Sequence, residues 1–259
     1  MDEIAVTESE GIVTITLDRP SMKNAISVAM FESLRDTFRS ISAQQQARCV
    51  VLTGNRDFAA GADLSRAGDG AARTRINTLY SMRVIHDAVI ALTEIPVPVV
   101  AKVRGVAVGA GMSLALACDL VVASDNARFA AIFARRGLSL DCGASWLLPR
   151  LVGIQKAKEI ALLADMISAD EAKAIGLVNR VVADYELDTT VDELAGRLSR
   201  GPTVALSMTK RLLNNAFTSS LVESLEAEAM AQAVNGLTDD TREGMLAFLE
   251  KRDATFKGR

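Results

Sequence analysis

The sequence predicts an α/β core followed by a helical tail. Three observations carry that expectation: short β-branched runs alternate with stretches of helical periodicity, strand signals thin out beyond Gly153, and Gly201-Pro202 punctuates the chain before a further set of helices. At 259 residues and 49% hydrophobic composition, the chain can bury one large core with a small appendage.

The elements read in order as follows. Ile12-Val13-Thr14-Ile15-Thr16-Leu17 alternates like a strand, Pro20 with Asn24 closes it, and Met30, Phe31, Leu34, Phe38 and Ile41 then share one helical face. Cys49-Val50-Val51-Leu52 is a second strand, and the spacing of Ile76, Leu79, Tyr80, Arg83 and Ile90 predicts a long helix to about Glu94. Val97 to Val103 is a third strand, and Leu120-Val121-Val122-Ala123 a fourth after a short helix. Few positions in these runs are polar, as expected of parallel strands covered on both faces. Ser168-Ala169-Asp170-Glu171 reads as a capping box with Gly176 as a stop, and helices are expected from about 189, 203, 219 and 239.

Charge and composition exclude several classes. Lys and Arg (29) and Asp and Glu (32) are interspersed and leave a net charge of −3, so no basic footprint for nucleic acid is present. The longest uncharged apolar stretch, Gly105 to Cys118, falls short of the roughly 20 residues a bilayer requires. The acidic start, with Asp2, Glu3, Glu8 and Glu10, is the wrong charge for a signal peptide. Cys49, Cys118 and Cys142 are widely spaced and without a CxxC pair, which points to free thiols in a reducing compartment and to no metal site. The expectation is a soluble cytoplasmic protein with neither nucleic-acid nor membrane partners.

Two small-residue turns carry the chemistry. Phe58-Ala59-Ala60-Gly61-Ala62-Asp63 and Gly105-Val106-Ala107-Val108-Gly109-Ala110-Gly111-Met112-Ser113 each follow a strand. Side chains this small let a ligand approach the main chain, and an amide at a helix start has no intrahelical acceptor. Two such amides aimed at one oxygen make an oxyanion hole, suited to a carbonyl that gains negative charge. A thioester enolate is the natural occupant. The Gly105–Gly111 run matches neither a GxGxxG nor a GxxxxGK[ST] fingerprint, and no GxSxG elbow accompanies Ser113.

These two turns, with Ser139-Leu140-Asp141-Cys142-Gly143-Ala144-Ser145-Trp146-Leu147-Leu148-Pro149-Arg150-Leu151-Val152-Gly153, resemble the enoyl-CoA hydratase/isomerase (crotonase) family. Arg19-Pro20 with Asn24-Ala25, the 168–178 stretch and Phe248-Leu249-Glu250-Lys251-Arg252 fall in the family's order, so the resemblance spans nearly the whole chain. It implies a crotonase-like spiral of ββα units over 1–200 and a C-terminal helical lid or oligomerisation region over 201–259. It also implies a trimer or dimer of trimers, an acyl-CoA ligand, and no cofactor beyond the coenzyme A of the substrate. Carried over by position, the oxyanion amides are those of Ala62 and Ala110. Ala60, Gly61, Asp63, Leu64 and Arg66 fall where relatives hold coenzyme A, as do Phe248 and Lys251, there often from a neighbouring subunit. Ser113, Phe133, Leu138 and Trp146 are the expected acyl pocket.

The family's hydratases use two glutamates, and this chain carries Ser113 and Phe133 at those positions. A phenyl ring transfers no proton, and a serine without a basic neighbour accepts one poorly. Asp141 aligns instead with the single acid of several isomerase branches. Burial among Phe133, Leu138 and Trp146 is expected to raise its pKa. Three residues keep a plainer reading. Asp141 is also a plausible N-cap for the helix at Ser145 to Leu148, Ser113 a hydroxyl bonded back to the preceding turn, and His86 an ordinary helical histidine. The leading expectation is an isomerase with Asp141 as sole acid/base. The alternatives are a hydratase that activates water through Asp141, an aromatic acyl-CoA dehalogenase using Asp141 and His86, and a non-catalytic acyl-CoA binder.

Overall fold

A computed structural model describes residues 3–65 and 75–259. β1 (Ile4–Ser9) and β2 (Ile12–Leu17) form an antiparallel hairpin turned by Glu10 and Gly11, both at positive φ. α1 (Val28–Gln44) starts on Ser27, whose hydroxyl accepts the Met30 amide, and buries the Met30, Phe31, Leu34, Phe38, Ile41 stripe its spacing predicts. β3 (Cys49–Gly54), α2 (Arg75–Thr93), β4 (Val99–Val103), β5 (Val106–Val108), α3 (Ala110–Leu116) and β6 (Leu120–Ser124) follow. β7 (Arg128–Ala130), α4 (Ala144–Leu163), β8 (Ile167–Ser168), α5 (Ala169–Ala174) and β9 (Arg180–Val182) complete the core. The chain then runs through α6 (Leu187–Ser199), α7 (Thr203–Asn215), α8 (Leu221–Asn235) and α9 (Asp239–Glu250).

The main sheet has the order β1-β2-β3-β4-β6-β9, parallel except for β1. A small second sheet, β5-β7-β8, stands beside it. Alternate strand residues serve two cores. Val50, Leu52, Val99 and Ala101 face the larger one, whereas Cys49, Val51, Val100 and Val122 pack under Leu187, Val191 and Ala195 of α6. Covering on both faces is the physical reason these strands read as continuous apolar runs.

The stretch beyond Gly153 is mostly helical, as expected, and the short strands β8 and β9 extend the two sheets there. Gly153 kinks α4 at φ 75°, ψ 160°. β1 is absent from the sequence reading, since an exposed edge strand with polar alternation gives little apolar signal. Gly201-Pro202 does separate α6 from α7. Arg48 bridges that joint, donating to the Thr203 hydroxyl (2.9 Å) and the Gly201 carbonyl (2.7 Å). Lys210 fastens α7 to the core through Asp119 (2.7 Å) and the Val97 carbonyl (3.2 Å).

Candidate active site

The two small-residue turns leave the carboxyl ends of β3 and β4, where parallel sheets hold their ligands. Main-chain bonds lock them together. Phe58 donates to the Arg104 carbonyl (2.8 Å), Ala59 to Val106 (2.8 Å), and Val108 returns a bond to Ala59 (3.0 Å). Gly111 packs so tightly on the Ala59 main chain that a side chain there would collide with it. Gly61, at φ +104°, lies against the Val108 carbonyl, and a Cβ on it would stand 3.9 Å from the Ala110 nitrogen. The structure therefore sets Gly61 close to the start of α3.

The main-chain groups flanking both expected amides are engaged. Ile26 donates to the Gly61 carbonyl (2.8 Å) and accepts from the Asp63 amide (2.9 Å), a parallel bridge that spends the groups flanking Ala62. Ala62 therefore turns its own N–H to the opposite side of the strand. Ala110 is the first residue of α3 and has no intrahelical acceptor, while the preceding Gly109 amide is taken by the Ala130 carbonyl (2.8 Å).

Asp141 enters from across α3, in the turn before α4. It caps nothing with its side chain. The N-cap of α4 is Gly143, and what Ala144 donates to is the main-chain carbonyl of Asp141 (3.0 Å), which corrects the capping alternative. Its Oδ1 is buried and has no hydrogen-bond partner among the described residues. Burial pushes this carboxyl above the ordinary aspartate range, opposed by the Cys142 thiol and the charge of His86 on α2. Ser113 is fully buried and its hydroxyl donates back to the Gly109 carbonyl (3.2 Å), with the Asp141 carbonyl at 3.5 Å.

The four expected acyl-pocket residues are not brought together. Phe133 and Leu138 line a cavity of about 340 Å³ with Leu148 and Ile154, while Trp146 lines another of about 720 Å³ between α2, α3, α4 and α7. Ser113 lines neither. Ser113 and Phe133 are buried; Leu138 and Trp146 are 50% and 46% exposed in the single chain. Trp146 instead carries the Arg150 guanidinium 3.8 Å from its ring centroid.

Asp63 is committed to the turn itself. Its carboxylate accepts from the Ser65 amide (2.9 Å) and pairs with Arg19 (2.6 Å); bonds from Ser65 first and Arg19 next hold its pKa at about 2. Ala60 donates to the Lys23 carbonyl (2.9 Å), Leu64 is exposed, and Arg66 lies outside the described residues. Phe248 is 82% exposed near the end of α9, and Lys251 caps that helix in the left-handed region. Among the described residues, no hydrogen bond or ion pair links these two to the 60–64 turn, and no cluster of His, Cys, Asp or Glu has metal-binding geometry. The orphaned Oδ1 of Asp141 and the Lys210–Asp119 pair leave no signal in a single sequence, since both depend on packing between distant segments.

Interlocked small-residue turns at the carboxyl ends of parallel strands, with a buried acid before α4, place the chain among α/β proteins that carry a ligand crevice at the strand ends. The sequence profile of the enoyl-CoA hydratase/isomerase family matches residues 7–259, and the chain belongs to this family. A relative from Rhodobacter capsulatus named "Probable enoyl-CoA hydratase" is 41% identical over 97% of this chain and 96% of its own. The 1,2-epoxyphenylacetyl-CoA isomerase of Escherichia coli is 37% identical over the full length of both chains. The crystal structure of an enoyl-CoA hydratase from Bacillus anthracis superposes with a TM-score of 0.93 at 32% identity, covering 100% of each chain. The fold is the crotonase fold, with its C-terminal helical region.

Proposed function

We propose that this enzyme isomerises an enoyl-CoA thioester, moving a double bond through an enolate, with the amides of Ala62 and Ala110 as oxyanion donors and Asp141 as the single acid/base. The observation that carries the reading is the Asp141 carboxylate: a buried acid with an unpartnered oxygen, held next to α3, in a chain whose hydratase-type glutamate positions are Ser113 and Phe133. The Asp141 carboxylate takes the proton from the α-carbon of a 3-enoyl thioester. The electrons delocalise onto the thioester oxygen, which the two amides stabilise. Asp141, now protonated, returns the proton to the γ-carbon, giving the conjugated 2-enoyl product. One residue suffices because the proton leaves and returns on the same face. The raised pKa suits this work, since an acid closer to neutrality gives the proton back readily. The isomerase among the relatives supports the same reading.

A hydratase is the second reading, favoured by the relatives named for hydration, including the crotonyl-CoA hydratase of Syntrophomonas wolfei. In it, Asp141 activates the water. Mass spectrometry on purified protein separates the two: 3-enoyl-CoA gives a mass-neutral conjugated product with an isomerase, and 3-enoyl-CoA left unchanged while crotonyl-CoA gains one water overturns that reading.

Coenzyme A is proposed to lie along Ala60, Gly61, Asp63 and Leu64, with Arg66, Phe248 and Lys251 completing its site. The apolar cavity beside Gly143 and Trp146 is proposed for the acyl group. The segment 201–259 is proposed to act as lid and assembly region of a trimer or dimer of trimers. Its exposed Leu221, Val222, Met230, Phe248 and Leu249 support that role. Sedimentation of the purified protein as a monomer would remove it.

A further inference from the structure

We propose that Asn24 is a positioning residue for the first small-residue turn: its buried carboxamide fixes the main chain at Asn55 and Asp57, and through it the aim of the Ala62 N–H. This inference rests on the proposed role of Ala62 and adds to that site a residue from outside it. Lys23 and Asn24 stand at φ +48° and +54°, two consecutive left-handed residues in the turn after β2. Asparagine enters this region more readily than most residues with a Cβ. A residue that served the local turn alone could leave its amide in water, yet Asn24 is 0% exposed. Its side chain reaches 31 and 33 positions along the chain, where Nδ2 donates to the carbonyls of Asn55 (3.1 Å) and Asp57 (2.5 Å). Oδ1 accepts the Arg19 amide (2.8 Å), and the Asn24 amide answers by donating to the Arg19 carbonyl (3.0 Å).

What these bonds hold is the entry to both turns. The Asp57 carboxylate accepts the Val106 amide (3.0 Å), so the residue that Asn24 grips by its carbonyl in turn grips the second small-residue turn. Further along, the segment from Arg19 to Ile26 continues to line the first turn. Ala60 donates to the Lys23 carbonyl, Ile26 donates to Gly61 and accepts from Asp63, and Arg19 pairs with the Asp63 carboxylate. The first turn is thus laid on this segment at Asn55, Asp57, Ala60, Gly61 and Asp63, with Ala62 inside the set. Of the two side chains that make these bonds, Arg19 keeps 23% exposure and Asn24 none. A bond shielded from water is the stiffer of the two.

Amide chemistry explains why an asparagine serves here. The position must donate twice, to two carbonyls, and accept once, from an N–H, which a carboxamide does and a carboxylate does not. An aspartate would set a buried negative charge against two carbonyl oxygens, and an alanine would strip both of their donor. A main-chain N–H has no rotamer of its own, so only the path of the backbone can aim it. Stabilisation of a developing oxyanion depends on donors that are in place before the charge forms. The side chain that fixes the path therefore acts on the reaction without touching the thioester.

The test is isotope-edited infrared spectroscopy of butyryl-CoA labelled with carbon-13 at the thioester carbonyl, bound at saturation to wild type, Asn24→Ala and Asn24→Gly. This saturated thioester is turned over by neither an isomerase nor a hydratase. Wild type lowers the carbonyl stretch relative to free thioester, because the two amides polarise the bond. In both variants that lowering shrinks by about half, and kcat for 3-enoyl-CoA conjugation falls by roughly 10–100-fold. Asn24→Gly adopts the positive φ without strain, so it stays folded should Asn24→Ala fail to fold. A side chain that only stabilises the fold would lower the melting temperature and leave the stretch of the bound thioester at its wild-type position. That result in folded Asn24→Gly overturns the proposal while the oxyanion reading stands. A wild-type stretch equal to that of free thioester overturns the oxyanion reading itself, and the role of Asn24 with it.

Discussion

Ser113 sits between the two halves of the site: its hydroxyl donates to the Gly109 carbonyl at 3.2 Å and stands 3.5 Å from the main-chain carbonyl of Asp141. One buried side chain on α3 therefore touches both the turn that presents the Ala110 amide and the turn that presents the acid. Ser113 thus ties the start of α3 to the turn before α4.

Removing the acid tests the reaction. Asp141→Asn keeps the shape of the side chain and removes its ability to cycle a proton, so kcat for 3-enoyl-CoA conjugation falls by about 10²–10⁴ with KM little changed. Following the conjugated thioester absorbance checks this. Equal turnover would take Asp141 out of the mechanism.

The same substitution changes stability in a pH-dependent direction. Burial raises the Asp141 pKa in the folded state, so the folded protein holds a proton where the unfolded chain has lost it. Stability from this group is complete below the unfolded pKa of about 4 and is lost as pH rises through the folded value. Wild type and Asp141→Asn should thus have the closest melting temperatures in acid, and the variant should gain over wild type toward neutrality. A gap that narrows with rising pH would contradict the assignment.

Gly111 tests the contact between the turns. A methyl at this position meets the Ala59 carbonyl and side chain, both backbone-fixed. Gly111→Ala should cost about 1–3 kcal/mol by overpacking and displace the start of α3, so activity falls further than stability alone explains. Urea denaturation paired with kcat/KM measures both effects.

The Lys210–Asp119 pair governs how α7 is seated. The Lys210 side chain is 9% exposed, and Asp119 also accepts the Val99 amide at 2.7 Å. Lys210→Met strands a largely buried carboxylate and should cost about 2–4 kcal/mol, below the fully buried limit because Asp119 keeps some solvent. Adding Asp119→Asn should recover part of the loss. A double variant no better than the single one would show that the cost is packing of the lysine stem.

Much of this architecture is legible in the sequence, for a physical reason in each case. The α1 stripe and the strands β2, β3, β4 and β6 are amphipathic or continuously apolar segments, so local pattern reports their burial. The proposed oxyanion amides of Ala62 and Ala110 follow from small residues next to a strand end and a helix start. Asp141 is visible as a residue, but its environment is not. The unpartnered Oδ1, the left-handed Cys142 and the nearby Ser113 arise where α3 and α4 pack, between segments some thirty positions apart. Trp146 shows the reverse failure. An aromatic residue in a motif reads as pocket wall, yet its ring is half exposed and stacks on Arg150, a contact that depends on the path of α4.

The proposed oxyanion donors of Ala62 and Ala110 are peptide N–H groups, which every amino acid except proline supplies. Outside that one exception, no single codon change deletes either donor outright, whereas one nucleotide is enough to replace an acid. On the proposed reading, the proton-transferring side chain can be exchanged by substitution while the backbone donors that would hold the anion stay in place.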